Sequence, residues 1–248
     1  MRMKIGVYGL GRFGAFWASL LAKQFEVIAY NRSTSRQTPE GVIRCTKDEL
    51  CKADVLFLCV AISSVEEVLR DIGPKIKDGC LVMDTCSVKV YPARLLRKML
   101  PDTVHCIATH PMFGPDSARN GVGSLPMVYS PLRCPQNIAD YWHDVFAKIY
   151  KLHVIEMTPE EHDKEAAFTQ GITHVIGRVL DELDLEQSEI GTVGYKSLLE
   201  IVEQTCNDPM QLFFDLQRYN PYTHEMHMKL NHSLENVMKQ LDEAETTE

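Results

Sequence analysis

Two short runs of polar residues carry the side chains best suited to chemistry. The first is Asp84-Thr85-Cys86-Ser87-Val88-Lys89 and the second begins at Thr109-His110-Pro111, and each follows a run predicted to be a buried strand. Histidine is well suited to take up a hydroxyl proton near neutral pH, so His110 is a candidate base for the oxidation of an alcohol. Ser87 would hold the imidazole or the hydroxyl in line. Spacing alone leaves open that His110 is a strand-end histidine bonded to a neighbouring carbonyl.

Such an oxidation needs a hydride acceptor, and residues 4–22 predict where one binds. A short apolar run from Lys4 to Tyr8 leads directly into Gly9-Leu10-Gly11-Arg12-Phe13-Gly14, and apolar residues at helical spacing follow to Ala22. In this context the first glycine makes a tight turn, the second admits a pyrophosphate and the third lets the helix lie close to the strand. Unpaired N–H groups at the helix N-terminus would hold a phosphate. The pattern predicts dinucleotide binding, and the alternative is a glycine-rich turn that binds nothing.

The residues after the second predicted strand indicate which dinucleotide fits. Enzymes specific for NAD usually place a carboxylate there, but this chain has Asn31-Arg32-Ser33-Thr34-Ser35-Arg36. A guanidinium beside hydroxyl groups suits a phosphate monoester, which favours NADP over NAD. The alternative is a solvated polar loop whose Arg32 touches nothing. Val60 and Ala61, at the end of the next strand, are expected to cover the nicotinamide ribose.

The elements that must position these residues alternate between strand and helix. Strands are predicted at residues 4–8, 26–30, 54–60, 79–84, 103–109, 125–130 and 152–155. This alternation predicts an α/β fold whose N-terminal part is a Rossmann-type doubly wound sheet of parallel strands. Ligands bind outside the carboxyl ends of such strands, so Ser87 and His110 should meet near the nicotinamide.

From Thr158 onward the sequence predicts helices alone. Thr158-Pro159-Glu160-Glu161 combines a threonine cap, a proline at the first helical position and a glutamate at the third. We therefore expect a dinucleotide-binding domain at residues 1–157 and an all-helical domain for substrate binding and dimerisation at 158–248. Helices are predicted from 158 to about 185, and at 188–206, 208–219 and 222 to about 241. About 90 helical residues make a thin core alone, so we expect a homodimer through this domain.

Composition and charge exclude several classes of function. A net charge of −8 without a basic stripe argues against nucleic acid as a partner. The sequence shows neither a signal-peptide pattern nor the run of about 18 apolar residues that a membrane helix needs. Eight cysteines without a C-x-x-C pair indicate reduced thiols and a cytoplasmic protein. His224, His227 and His232 lack zincin spacing, so we expect no metal site.

Together these motifs resemble the prephenate and arogenate dehydrogenase family of tyrosine biosynthesis. The resemblance rests on the glycine fingerprint, on Asp84 to Lys89, on His110-Pro111-Met112-Phe113-Gly114-Pro115-Asp116-Ser117 and on the helical region that follows. It covers about residues 4–240, and the His-Pro-Met-Phe-Gly-Pro form resembles the plant-type arogenate branch. It implies NADP-dependent oxidative decarboxylation of arogenate to tyrosine, or of prephenate to 4-hydroxyphenylpyruvate, with a small-molecule substrate as partner.

The resemblance also implies residue roles. His110 would polarise the ring hydroxyl and take its proton, and Ser87 would orient it. His174 matches a substrate-binding histidine of the family, although Gly171 stands where many bacterial members have a further histidine. Family members that act on prephenate often bind its side-chain carboxylate with an arginine that has no clear counterpart here, which favours arogenate modestly. The ammonium of arogenate would meet Asp116 or another acid. The implied substrate-binding residues are His174, Gln170, Lys89, Asp116, Ser117 and Arg119.

Two other functions remain open on the sequence. A two-domain β-hydroxyacid dehydrogenase or imine reductase would usually rely on a lysine or other polar residues in the second domain. Lys164 lies in that region, but the His110 motif would then be unexplained. A module that senses NADP without turnover would bind the dinucleotide and leave Ser87 and His110 replaceable.

Overall fold

The computed structural model describes residues 3–245, and one eight-stranded sheet organises its first part. The strands are β1 Lys4–Tyr8, β2 Glu26–Tyr30, β3 Val42–Arg44, β4 Val55–Leu58, β5 Leu81–Asp84, β6 His105–Pro111, β7 Pro126–Arg133 and β8 His153–Glu156. They lie side by side in the order β3-β2-β1-β4-β5-β6-β7-β8. The predicted doubly wound sheet is therefore confirmed, with β3 as an edge strand that the sequence analysis did not predict.

Strand direction changes once across the sheet. The pairs from β3 to β6 are all parallel, β7 runs antiparallel to β6, and β8 is again parallel to β7. The register places Asp84, the last residue of β5, beside Ala108 of β6. Because β5 and β6 are parallel, the segments that contain Ser87 and His110 leave the same edge of the sheet.

Helices of the first part follow the strands in the expected alternation. They are α1 Arg12–Ala22, α2 Lys47–Leu50, α3 Val65–Ile72, α4 Val90–Met99 and α5 Gln136–Asp144, with α6 beginning at Pro159. Helix α1 packs through Trp17, which is fully buried, against Phe57 of β4 at a ring-centroid distance of 5.7 Å. Trp17 also lies 6.2 Å from Phe146 and 6.4 Å from Phe113. This aromatic cluster fixes the helix that follows the glycine turn against the sheet.

The second part contains helices and no strand within residues 163–245. Helix α6 spans Pro159–Ala166, a π-helical turn follows at Ala167–Gly171, and the other helices are α7 Ile172–Asp181, α8 Val193–Cys206, α9 Met210–Tyr219 and α10 Thr223–Glu245. The chain divides into compact units at His162 and Asp163, inside α6, five residues after the predicted boundary. No helix in residues 3–245 is long and apolar enough to cross a membrane.

Close contacts hold helices α7 and α8 together. A Cβ added at Gly177 would lie inside 3.0 Å of Thr205 Oγ1, so only glycine permits this approach. Arg178 donates through Nη2 to the carbonyls of Thr205, at 3.1 Å, and Asp208, at 2.9 Å. A guanidinium at the C-terminal end of α8 also complements the helix dipole.

Candidate active site

The glycine turn after β1 has the geometry that its sequence requires. Gly9 adopts φ +103°, and a Cβ there would meet the carbonyl oxygen of Cys59 inside 3.0 Å. A Cβ at Gly14 would meet the carbonyl oxygen of Gly9 equally closely. Nothing lies within 4 Å of a Cβ built at Gly11. Positions 9 and 14 are therefore glycine for packing, whereas position 11 leaves open space beside the backbone.

That open space belongs to a cavity beside the glycine turn. Helix α1 begins after Gly11 with no side chain bonded at its cap, so its first N–H groups can donate hydrogen bonds to an anion. The cavity measures about 390 Å3. Of the residues predicted to bind a dinucleotide, those in the lining are Gly9, Gly11, Asn31, Arg32, Ser33, Val60 and Ala61. The predicted Leu10, Arg12, Phe13, Gly14 and Thr34 lie outside the lining.

The loop after β2 is ordered by side chains rather than left loose. Asn31 Oδ1 accepts a hydrogen bond from the backbone N–H of Leu10 at 2.8 Å, which ties the loop to the glycine turn. Arg44 donates from Nη2 to the carbonyls of Asn31, at 2.8 Å, and Ser33, at 3.0 Å. Sequence reasoning missed Arg44 because it lies on β3, a three-residue strand whose pattern is too short to predict.

Arg32 extends from this ordered loop into solvent at the cavity. Its side chain is 85% exposed, and the guanidinium lies 3.8 Å from the Glu67 carboxylate. Exposed ion pairs of this length contribute little, so a phosphate at the cavity can compete for the guanidinium. Glu67 also lines the cavity and adds a negative charge close to the same place.

A buried ion pair joins the carboxyl ends of β5 and β6. The Asp84 carboxylate accepts hydrogen bonds from the Lys89 ammonium, from Cys86 N at 3.0 Å and from Thr109 N at 3.3 Å. Lys89 also donates to the Thr109 carbonyl, and both charged side chains have no exposed surface. A buried ion pair is tolerated when hydrogen bonds satisfy its remaining groups, as they do here. Lys89, predicted to bind substrate, therefore lies in a network that fixes the two strand ends.

His110 lies at the end of β6 and is 2% exposed. Its Nδ1 is 2.9 Å from Nε2 of His162, a partner that the sequence did not reveal because the two residues are 52 positions apart. Ser87 is half-buried and makes no hydrogen bond within the described residues. Burial lowers the pKa of His110 well below its usual value, and His162 and Lys89 lower it further. The imidazole is therefore neutral near pH 7 and able to accept a proton.

The loop after β6 places three other predicted residues at the surface. Asp116 forms an exposed ion pair with Arg12 of the glycine turn, so its carboxylate already has a cationic partner. Ser117 Oγ accepts a hydrogen bond from Gly114 N at 3.2 Å, and Arg119 is exposed. This ion pair connects the loop that follows His110 to the glycine turn.

Two predicted substrate-binding residues in the helical unit have buried polar atoms without partners. Gln170 and His174 lie one helical turn apart, and within residues 3–245 neither Gln170 Oε1 nor His174 Nδ1 has a hydrogen bond. His174 is 6% exposed, and burial, with a smaller effect of Arg178, lowers its pKa to about 4. Buried polar atoms left unpaired are costly, and a polar ligand is one way to satisfy them.

Two histidines of α10 lie in separate interactions. His227 Nε2 lies 2.8 Å from Gln217 Oε1, and His232 Nε2 lies 3.0 Å from Asn236 Nδ2. Gln217 also donates to the carbonyl of Gly171 at 3.0 Å. In the part of the chain that the structure describes, no group of three or more potential metal ligands is present.

Comparison with known proteins gives concordant matches to both parts of the chain. Residues 22–125 match the family model described as the nucleotide-binding domain of prephenate dehydrogenase, and residues 179–248 match the one described as a TYRAAT1-like C-terminal domain. The chain is 36% identical to arogenate dehydrogenase 1 of Arabidopsis thaliana over 97% of its length, and 35% identical to arogenate dehydrogenase 2 over 96%. It spans 39% of the first relative and 70% of the second.

A solved structure gives the same fold at low sequence identity. Prephenate dehydrogenase from A. aeolicus, crystallised with hydroxyphenyl propionate and NAD+, matches with a TM-score of 0.74 and 15% identity. The match covers 98% of this chain and 93% of that one. The succession of a doubly wound sheet and an all-helical region is therefore shared along almost the whole length of both chains.

Proposed function

The chain belongs to the prephenate and arogenate dehydrogenase family, and we propose that it catalyses the NADP-dependent oxidative decarboxylation of arogenate or prephenate. The observation that carries the proposal is a buried imidazole at the end of β6, in the sheet whose strand β1 leads into the glycine turn. Membership of this family argues against the two alternatives that the sequence left open, a β-hydroxyacid or imine enzyme and a sensing module.

In the proposed mechanism His110 takes the proton of the ring hydroxyl. When bound, NADP would accept the hydride. Burial lowers the pKa of His110, which keeps the lone pair available at neutral pH, and the Asp84–Lys89 pair holds the strand ends in place. Ser87, half-buried and without a hydrogen bond among the described residues, has a hydroxyl that can bond the substrate. Loss of CO2 follows because it yields an aromatic ring, so the chain needs no separate acid for that step.

We propose arogenate as the preferred substrate. The two Arabidopsis relatives are named arogenate dehydrogenases, and an ammonium group would pair with the exposed carboxylate of Asp116 beside Arg12. Gln170 and His174 would satisfy their orphan atoms on the substrate, and Ser117 and Arg119 would contact its polar groups. Lys89 acts in this proposal as a positioning residue, because its ammonium is already bonded to Asp84.

For the dinucleotide, we propose NADP over NAD. Arg32 and Ser33 line the cavity where the adenosine ribose would lie, and no carboxylate follows β2 directly. Arg44 supports this choice indirectly, because it holds the backbone of the loop that presents both side chains.

The free thiols of all eight cysteines suit a reducing compartment such as the cytoplasm.

We also propose that the helical unit forms a homodimer. Leu234, Val237, Met238 and Leu241 follow the i, i+3, i+4, i+7 pattern on α10 and are each at least half exposed. An exposed apolar stripe of this kind marks a surface that binds a partner. A second copy of the same helix would bring an equivalent apolar stripe to the contact.

Turnover of purified protein tests the central proposal. With NADP and either arogenate or prephenate, reduced nicotinamide should form and absorb in the near ultraviolet. His110→Asn should lower kcat by roughly 100-fold or more while NADP affinity stays nearly unchanged. The matched control is His153→Asn, because His153 is exposed on β8. Absence of turnover with both acids, or equal loss of kcat and NADP affinity in His110→Asn, would contradict the proposal.

A further inference from the structure

The imidazole of His110 is hydrogen-bonded to a second imidazole, that of His162. His110 Nδ1 and His162 Nε2 are 2.9 Å apart, and the two rings meet at 67° with their centroids separated by 5.1 Å. Both side chains are 2% exposed, so water does not compete for this contact. One proton must lie between the two nitrogens, and its owner decides what the other nitrogen of His110 can do.

Only one of the two arrangements leaves His110 able to act as a base. If His162 Nε2 carries the proton, His110 Nδ1 accepts it, and a neutral His110 then holds its own proton on Nε2. That nitrogen cannot take up a hydroxyl proton. If His110 Nδ1 carries the proton and donates it to His162, the lone pair of His110 lies on Nε2 and faces away from the pair.

We propose that His162 is the positioning residue of the base, accepting a hydrogen bond from His110 Nδ1–H and so fixing the tautomer in which Nε2 takes the substrate proton. The inference rests on the proposed role of His110 and adds a residue to it. The orienting role expected of Ser87 from the sequence stays a prediction beside it.

The start of α6 fixes where His162 lies. Thr158 Oγ1 accepts from Glu161 N at 3.2 Å, and Glu161 Oε2 accepts from Thr158 N at 2.8 Å, which closes a capping box. His162 N donates to the Thr158 carbonyl at 3.0 Å, within this first turn. Ser130 of β7 also bonds the carbonyl of Met157 just before the cap. The partner of the base is thus held by backbone geometry and not by a mobile side chain alone.

The charged and titratable groups around His110 favour its neutral form. His162 faces it from α6, and Lys89 faces it from the turn before α4, with Asp84 neutralising the ammonium. Burial, His162 and Lys89 all lower the pKa of His110. Removing the imidazole at position 162 removes one of these three causes, so the pKa of His110 should rise.

Two substitutions separate positioning from packing. His162→Gln keeps an oxygen that accepts from Nδ1–H but cannot be charged, and His162→Leu removes the acceptor. His153→Gln, at an exposed site, is the matched control. We expect His162→Gln to retain kcat within about 5-fold. The acid limb of its kcat/KM pH profile should move to higher pH, because the pKa of His110 rises. His162→Leu should lose about 10- to 100-fold in kcat with NADP affinity unchanged.

Nitrogen NMR of the wild-type protein tests the same point without turnover. In protein labelled with 15N-histidine, the His110 signals are identified by their loss in His110→Asn, and they should show a proton on Nδ1 and none on Nε2. A proton on Nε2 would overturn the inference, as would unchanged kcat in a folded His162→Leu. If neither acid is turned over but Nδ1 is protonated, the proposed function fails and the assignment of His162 stands.

Discussion

The two units of the chain differ in where they keep their apolar side chains. Among the described residues, the structure exposes three large apolar side chains in residues 3–162 and thirteen in residues 163–245. The buried apolar residues show the opposite distribution, since the second unit buries only Ala166, Ala167, Leu216 and Met226 of them. The sheet unit therefore builds a core of its own, whereas the helical unit leaves much of its apolar surface uncovered.

This difference suggests how the two units are stabilised. The first unit packs tightly enough that a methyl group added at Gly9 or Gly14 would collide with backbone. The second unit makes one comparably close contact, between Gly177 and Thr205, and otherwise leaves α10 with an uncovered stripe. Small domains bury a smaller fraction of their surface, so a helical unit of this size gains most from a partner.

The largest effect is expected at the stripe on α10. Replacing Leu234, Met238 and Leu241 together by Asp puts three like charges on the proposed dimer interface, and buried anchors of this kind dominate binding energy. We expect dimer affinity to fall by about 1,000-fold or more, measured by sedimentation equilibrium. A wild-type chain that is monomeric at tens of micromolar would contradict the claim that the helical unit needs a partner.

A control with equal charge change isolates the stripe. Asn236→Asp together with Lys239→Asp also lowers the net charge by three, but these exposed residues lie on the opposite face of α10. We expect this variant to remain dimeric. Dissociation of both variants alike would show that net charge, and not the apolar stripe, controls assembly.

The glycine turn should give the next largest effect. In Gly14→Ala the new methyl group meets the Gly9 carbonyl, and overpacking of this kind costs about 1–3 kcal/mol, so NADP affinity and the unfolding midpoint should both fall. Gly11→Ala is the control, since its methyl group meets no protein atom within 4 Å. It should lower NADP affinity by obstructing the pyrophosphate while the midpoint stays unchanged. Equal midpoints for the two variants would contradict the assigned roles.

A smaller loss is expected where α7 and α8 cross. Gly177→Ala forces a methyl group against Thr205, and we expect about 1–2 kcal/mol lower stability after the gain in helix propensity is subtracted. Gly194→Ala, in the first turn of α8 with its nearest contact at 3.9 Å, should instead be neutral or slightly stabilising. Urea unfolding of the full chain measures both. Destabilisation by both substitutions alike would show that the crossing is not specially close.

Much of the fold could be predicted because its signals are local. The bounds of β1 and β2 match the prediction residue for residue, since apolar runs of five residues end at a glycine turn and at a polar loop. β3 has only three residues and exposes Ile43, so no periodicity marks it. Helix α8 begins at Val193, later than predicted, because Thr192 caps it by accepting from Tyr195 N at 3.2 Å.

The candidate site was less predictable because its contacts join distant parts of the sequence. The positions of Ser87 and His110 follow from the rule that ligands bind at strand ends. The partner of His110 does not, because His162 lies in another element, and a capping box indicates a helix start without indicating what its first turn touches. From the sequence, Lys89 is predicted to be a cation available to the substrate. The fold instead pairs its ammonium with the Asp84 carboxylate.

The smallest effect is expected at Arg32. Its substitution tests whether this side chain of the first unit sets the preference for NADP over NAD. Arg32→Ala removes one charge-assisted contact to a 2′-phosphate, so NADP affinity should fall by about 10-fold while NAD affinity changes little. Arg36→Ala is the control, since Arg36 belongs to the same loop but lies outside the cavity lining. Glu67→Gln, which removes the carboxylate 3.8 Å from Arg32, should raise NADP affinity slightly. Equal losses for NADP and NAD in Arg32→Ala would show that the guanidinium does not contact the phosphate.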